Sequence, residues 1–208
     1  MASAQALYSQ SVNFAPQRNS PKHGSDRRSK PFGRVIYRGI SRVDEPPIKE
    51  YDVLGIGGAN PVAGQSDDVV KCSTEKAYDY IGWGFFVNYR KWCPQVVGLE
   101  ELSEPPVHLG TRGRQVTRDR GLESESTFEV SAFVPTSKFE IKGVSEAFRS
   151  AYEFTSEGDG ATRVSFTFEL QQLDLAMRPF QKLIRTALQD GAIQTIENIK
   201  ALLEGTPA

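Results

Sequence analysis

Histidine and cysteine are nearly missing from this 208-residue chain, with two of each. His23 falls near the N-terminus and His108 sits in a Pro-Pro-Val-His-Leu-Gly turn, so a Ser-His-Asp triad or a histidine-rich metal centre has one histidine to draw on. Cys72 and Cys93 are too few for a disulfide scaffold and fit a reducing compartment; neither has a Cys-x-x-Cys partner, which argues against structural zinc. The run Gly55-Ile56-Gly57-Gly58-Ala59-Asn60 lacks the third glycine of a dinucleotide loop, and no βαβ unit follows it. No metal and no cofactor is expected. Long apolar runs are also lacking, so neither a signal peptide nor a membrane span is expected, and the expected setting is cytoplasmic. With 25 basic and 26 acidic residues the net charge is only -1, and no global field draws nucleic acid.

The charge that is present is unevenly placed. Residues 1–33 hold Arg18, Lys22, Arg27, Arg28 and Lys30 against Asp26, a balance of +4 that leaves -5 for the rest. A disordered basic tail therefore precedes a mildly acidic domain over 34–208. The first 25 residues contain several serines and no acid, so an organelle transit peptide is the alternative for this segment. At this length, with 38% hydrophobic residues, one domain is favoured over two.

The strongest pattern lies in the C-terminal half. Val164, Phe166, Phe168 and Leu170 alternate with Arg163, Ser165, Thr167 and Glu169, the period of a strand with one wet and one buried face. Further inward sets are Phe148, Ser150, Tyr152 and Phe154; Phe139 and Ile141; and Phe128, Val130, Ala132 and Val134. Gly158-Asp159-Gly160 reads as a hairpin turn, and Pro135-Thr136 as another. Strands are also expected at 95–103 and 109–119, after the Pro105-Pro106 break. Beyond them Met177, Phe180, Leu183, Ile184, Leu188, Ile196, Ile199 and Leu203 recur at helical spacing, predicting one amphipathic helix over 175–204, roughly 45 Å long. Asp174 is its candidate cap, and Gly191 weakens its middle. The class is α+β, a curved antiparallel sheet of about six or seven strands closed by a long helix, an arrangement that leaves a pocket between them.

Two segments compete to open the domain. Arg34–Val43 followed by 45–54 has the longer strand and the better signalled helix start; Asp67–Cys72 followed by 73–81 is the other. The first is preferred, and it makes residues 55–83 a glycine-rich insertion, for which a lid is one candidate role.

The stretch Asn88–Ser103, then Leu109-Gly110-Thr111-Arg112, then Gly158–Val164 ahead of the last strand and helix, resembles the START-like (SRPBCC) superfamily, in particular its polyketide cyclase/dehydrase-like branch. Ser41–Pro47 also looks like that family's first strand running into its first helix. The resemblance covers about residues 34–204 and implies a helix-grip fold: a curved sheet, two short helices and a long C-terminal helix over a hydrophobic cavity. Members bind lipids, sterols, polyketides or plant hormones, and a few catalyse cyclisation or dehydration. The chain departs from the family in the segment around Gly55 to Gly84 and in Gly113, where relatives commonly carry a bulky residue; the glycine would enlarge the cavity.

The implied function is binding of a hydrophobic small molecule such as a lipid, isoprenoid or polyketide. A polyketide aromatase/cyclase or dehydratase is the alternative, and a partner-binding protein using the basic tail is a third reading. For binding, the cavity wall is expected from Trp92, from Phe128 and Val130, from Phe139 and Ile141, from Phe154, from Phe166 and Phe168, and from Phe180 and Ile184 of the helix. For catalysis, Arg112 and Arg114 would clamp carbonyl oxygens and Tyr152 would act as the acid. The competing reading turns these arginines, with Arg118, to solvent against Glu123, Glu125 and Glu129, and is preferred because buried unpaired arginine is rare; Thr111, Gln115 and Thr117 then face inward. Tyr152 has its own plainer reading as a core tyrosine with its hydroxyl satisfied, and Trp92 as an anchor for the second short helix. The sequence does not give the oligomeric state.

Overall fold

The alternating segments pair as their patterns predict. The computed structural model describes residues 61–119, 121–173 and 175–205. The tail at 1–33, the preferred opening unit at 34–54, the loop at 55–60 and the Asp174 cap lie outside them. Among the described residues the strands are β1 (Val62–Val70), β2 (Val96–Glu101), β3 (Arg112–Asp119), β4 (Leu122–Val134), β5 (Lys138–Gly143), β6 (Phe148–Gly158) and β7 (Ala161–Leu170). They form one curved antiparallel sheet in the order β1-β7-β6-β5-β4-β3-β2. On β7, Thr162, Val164, Phe166, Phe168 and Leu170 are buried while their neighbours are half-buried. The outer face carries ion pairs such as Arg149 with Glu140 and Glu169. An exposed pair contributes about 0–1 kcal/mol, whereas each fully buried Phe contributes roughly 2–3 kcal/mol, so the inner face holds the sheet together.

Turn chemistry closes the β6–β7 hairpin, with Gly158, Asp159 and Gly160 all at positive φ. On β4 the strict alternation fails. The register jumps between Val130 and Ala132, so Ser131 is a bulge residue. Phe133 consequently packs on the core and Val134 is exposed, the reverse of the inward Ala132 and Val134 expected above.

The reading of 55–83 as an insertion is corrected over its described part. Residues 62–83 are no insertion: β1 pairs along its whole length with β7, from Val62 opposite Leu170 to Val70 opposite Thr162. Helix α1 (Thr74–Tyr78) follows, with Ser73 accepting from the Lys76 amide at 3.3 Å as its cap. A π-helical turn (Asp79–Trp83) then leads into α2 (Phe85–Trp92). Tyr78, Ile81, Phe85, Tyr89 and Trp92 point from this run into the concave sheet, all buried.

The terminal helix α3 (Gln181–Glu204) is shorter than predicted, about 36 Å. Residues Leu175–Phe180 form a 3-10 turn instead, because Pro179 lacks an amide hydrogen and disfavours α geometry in the residue before it. From there α3 runs along β1. Gly64 lies under it so tightly that a Cβ would overlap the Leu188 carbonyl. Gln189 accepts from the Gln65 amide at 3.2 Å and donates to the Gln65 carbonyl at 2.7 Å, covering an otherwise unpaired sheet edge.

Candidate functional site

Small residues on α3 leave a crevice between that helix and the sheet. Gly191, Ala192 and Thr195 form its helical side with Leu188, while β6 supplies Ser150 and Tyr152, β7 supplies Phe166 and Phe168, and Tyr89, Cys93 and Gln95 border it from α2 and its exit. A Cβ placed on Gly191 would meet nothing within 4 Å. The crevice is partly open to solvent and has about 50 Å³ of free space. A few waters fit there, at about 10–15 Å³ of such space each; a lipid does not without movement of the walls.

Aromatic rings account for the small volume. Phe85 stacks on Tyr89 at 4.5 Å and lies 4.9 Å from Phe139; Tyr152 lies 4.8 Å from Phe166 and 6.2 Å from Trp92. Among the described residues the concavity expected from sheet curvature is therefore largely occupied, because α2 inserts three rings into it.

At the floor of the crevice two hydroxyls lie among apolar walls. Trp92 Nε1–H donates to the Tyr152 hydroxyl oxygen at 3.1 Å, leaving the tyrosine O–H to donate elsewhere. Burial pushes the Tyr152 phenol well above its ordinary range, against the opposing pull of Trp92, so it is neutral at physiological pH. Ser150 Oγ is buried with no hydrogen bond of normal geometry among the described residues. Burial also pushes the Cys93 thiol up to about 11, and its sulfur lies 3.5 Å from Gln95 Oε1, which makes it a poor nucleophile. The arrangement offers hydrogen-bond donors in an apolar recess, with no carboxylate or histidine among the described residues that line it.

The sequence-predicted residues divide into four groups. Tyr152, Phe166 and Phe168 border the crevice. Trp92 stands behind it as anchor and donor, and Phe128, Val130, Phe139, Ile141, Phe154 and Ile184 are buried in the surrounding core. Thr111 and Gln115 face inward but away from the crevice: Thr111 Oγ1 accepts from the His108 amide at 2.8 Å, and Gln115 Nε2 donates to Ser126 at 3.1 Å while its Oε1 is buried without a partner. The rest require correction. Arg112 and Arg114 are on the outer face, where Arg112 meets Glu129 at 3.6 Å and Arg114 meets Glu100 at 2.7 Å and Glu125 at 3.3 Å; strand parity aims them at solvent and the acids hold them there. Arg118 pairs likewise with Glu123. Phe180 is 52% exposed, since it ends the 3-10 turn before α3 settles on the sheet. Gly113 does not enlarge a cavity, because the Phe128 and Phe86 rings occupy the space beside it.

Residues missed from the sequence include Ser150 as a donor, Gly191, Ala192 and Thr195. The signal for the last three was a cluster of small residues on the crevice side of an otherwise leucine- and isoleucine-rich helix.

A family model described as "Polyketide cyclase / dehydrase and lipid transport" matches residues 65–204, and the chain belongs to that family. Its fold is shared by TTHA0849 from Thermus thermophilus, at 14% identity and a TM-score of 0.57 over 70% of this chain and 99% of that one. The Zhui aromatase/cyclase from Streptomyces sp. R1128 gives 9% identity and a TM-score of 0.59 over 70% and 94%. The major latex-like protein 151 from Panax ginseng gives 12% and 0.52 over 68% and 98%. No curated protein matches the sequence. These likenesses bear out the helix-grip fold and the family expected above.

Proposed function

We propose that this protein binds an apolar small molecule bearing a carbonyl or hydroxyl oxygen, taken up between α3 and the inner face of β6 and β7. The observation that carries the reading is Ser150 Oγ, buried without a partner of normal geometry among the described residues, beside the Tyr152 hydroxyl, which accepts from Trp92 and keeps its own O–H to donate into an apolar crevice. A buried hydroxyl without a partner, as at Ser150, costs about 1–3 kcal/mol, and a guest oxygen accepting from it would recover that loss. The family description, which includes lipid transport, supports the same reading. The rings of Phe166 and Phe168 would have to shift to admit the guest. No helix among the described residues is long and apolar enough to cross a membrane, and the expected cytoplasmic setting is part of this proposal.

The test is extraction of the purified protein followed by mass spectrometry of whatever it retains. Titration then follows with a matched pair of probes, a long-chain ketone and the corresponding alkane. Ser150→Ala with Tyr152→Phe is expected to weaken the ketone about tenfold or more and leave the alkane unchanged. Equal loss for both probes, or none, would overturn the donor assignment.

A cyclase or dehydratase reading is supported by the family, and within the crevice it has Tyr152 as its candidate acid. A raised pKa makes that phenol a weak proton donor, so binding is the reading we favour.

A further inference from the structure

The entry to α3 combines features that neither solubility nor helix stability explains. Leu175, Phe180 and Leu183 are 75%, 52% and 60% exposed within nine residues of each other. Over residues 175–189 the charges are Arg178, Lys182 and Arg185, with no acid; Asp174 precedes the stretch, and Asp190, Glu197 and Glu204 come later. Cations are placed at the end of the helix where the backbone dipole disfavours them, and the first turn has neither an acid nor a side-chain cap. The sheet register brings two more exposed apolar residues to the same end of the molecule: Leu122 at the tip of the β3–β4 hairpin, and Val144 just after β5. Acids at this end include Asp119, opposite Leu122 in the register, Glu123, already paired with Arg118, and half-buried Glu146. Lys182 and Arg185 form no ion pair with any described residue.

Apolar side chains interleaved with cations, on a stretch too short and too charged to span a bilayer, fit the boundary between headgroups and acyl chains. A protein partner would need to match this alternation residue by residue; an anionic lipid surface matches it without register. We propose that this end of the molecule docks on a bilayer containing anionic lipid, with Phe180 and Leu183 entering the acyl boundary and Lys182 and Arg185 meeting headgroup charge. The crevice, bordered by Leu188 and Gly191, lies one to two turns further along the same helix. Docking therefore brings the crevice close to the layer where an apolar guest would reside. The surface reading stands independently of the crevice, since vesicle binding needs no ligand.

The experiment is cosedimentation of the full chain with vesicles of phosphatidylcholine, alone or with about 30% phosphatidylserine. Binding is expected only with phosphatidylserine, and is expected to weaken at about 0.5 M salt. Lys182→Gln with Arg185→Gln should reduce the partition coefficient on the order of thirtyfold. Phe180→Ser with Leu183→Ser should reduce it comparably, and both variants should keep the parent melting profile because the side chains are exposed. Undiminished binding by either variant would assign the effect to the basic residues of 1–33 and overturn the proposal. Equal binding to neutral vesicles would overturn it too, as would no vesicle binding at all, including the case where self-association is lost in Phe180→Ser with Leu183→Ser, which would identify a second copy as the occupant.

Discussion

Gly191 is the residue whose chemistry is least explained by stability. A glycine inside a helix costs about 0.5–1 kcal/mol relative to alanine, and here no backbone crowding demands it. What it leaves is space beside Ser150 and Tyr152. Gly191→Ala is expected to raise unfolding free energy by about 0.5–1 kcal/mol in urea titrations while leaving probe binding intact. Gly191→Met should retain the fold and abolish uptake of both ketone and alkane probes, because its side chain occupies the crevice. Tyr152→Phe behaves differently. It strands the buried Trp92 N–H, so a loss of about 1–3 kcal/mol is expected in the same titrations.

Among the elements, α3 and β1 approach each other closely. A Cβ at Gly64 would overlap the helix backbone at Leu188, and neither the strand, held by β7, nor the helix can retreat without losing contacts. Gly64→Ala should cost about 2–3 kcal/mol, read as a lowered denaturation midpoint with unchanged slope. This element pair also shows where sequence reasoning succeeded and where it did not. The strands β5 to β7 and the apolar stripe of α3 were legible because period two and period 3.6 are imposed by burial on one face. The role of β1 was not: its buried positions include Gly64, and Asp67 and Asp68 interrupt the apolar run, so a proline-signalled segment upstream looked stronger. The buried spacing of Tyr78, Ile81, Phe85, Tyr89 and Trp92, at steps of three and four, was present and would have identified the α1–α2 run. The β4 bulge at Ser131 carries no such signal, since one extra residue in a strand follows from pairing with its neighbour. At the site the wall aromatics were legible as inward residues, whereas the crevice was not, because its volume depends on how far α2 inserts its rings.

At the scale of the whole molecule, the response to acid should reveal two opposed groups. Burial works to raise the pKa of Glu140, but hydrogen bonds from Ser131, Lys138 and Arg149 outweigh it and hold the carboxyl below the ordinary carboxylate range. Its contribution to stability is complete above the unfolded-state pKa and is lost as pH falls through the lower folded value. Asp68 follows the same sign, through its hydrogen bond from Lys200 at 2.8 Å on α3. Glu146 is the reverse: burial raises its pKa, so the folded state favours the neutral form and stability falls as pH rises through the unfolded-state value toward the folded one. Glu146→Gln is therefore expected to stabilise the protein at about pH 7 and to have little effect near pH 4, where the carboxyl is already substantially neutral. Glu140→Gln should destabilise it at about pH 7, with the deficit shrinking as acid removes the charge from the parent. Denaturation midpoints of the three proteins at both pH values check the pair, and a Glu146→Gln curve parallel to the parent across the range would show that burial there does not govern the titration.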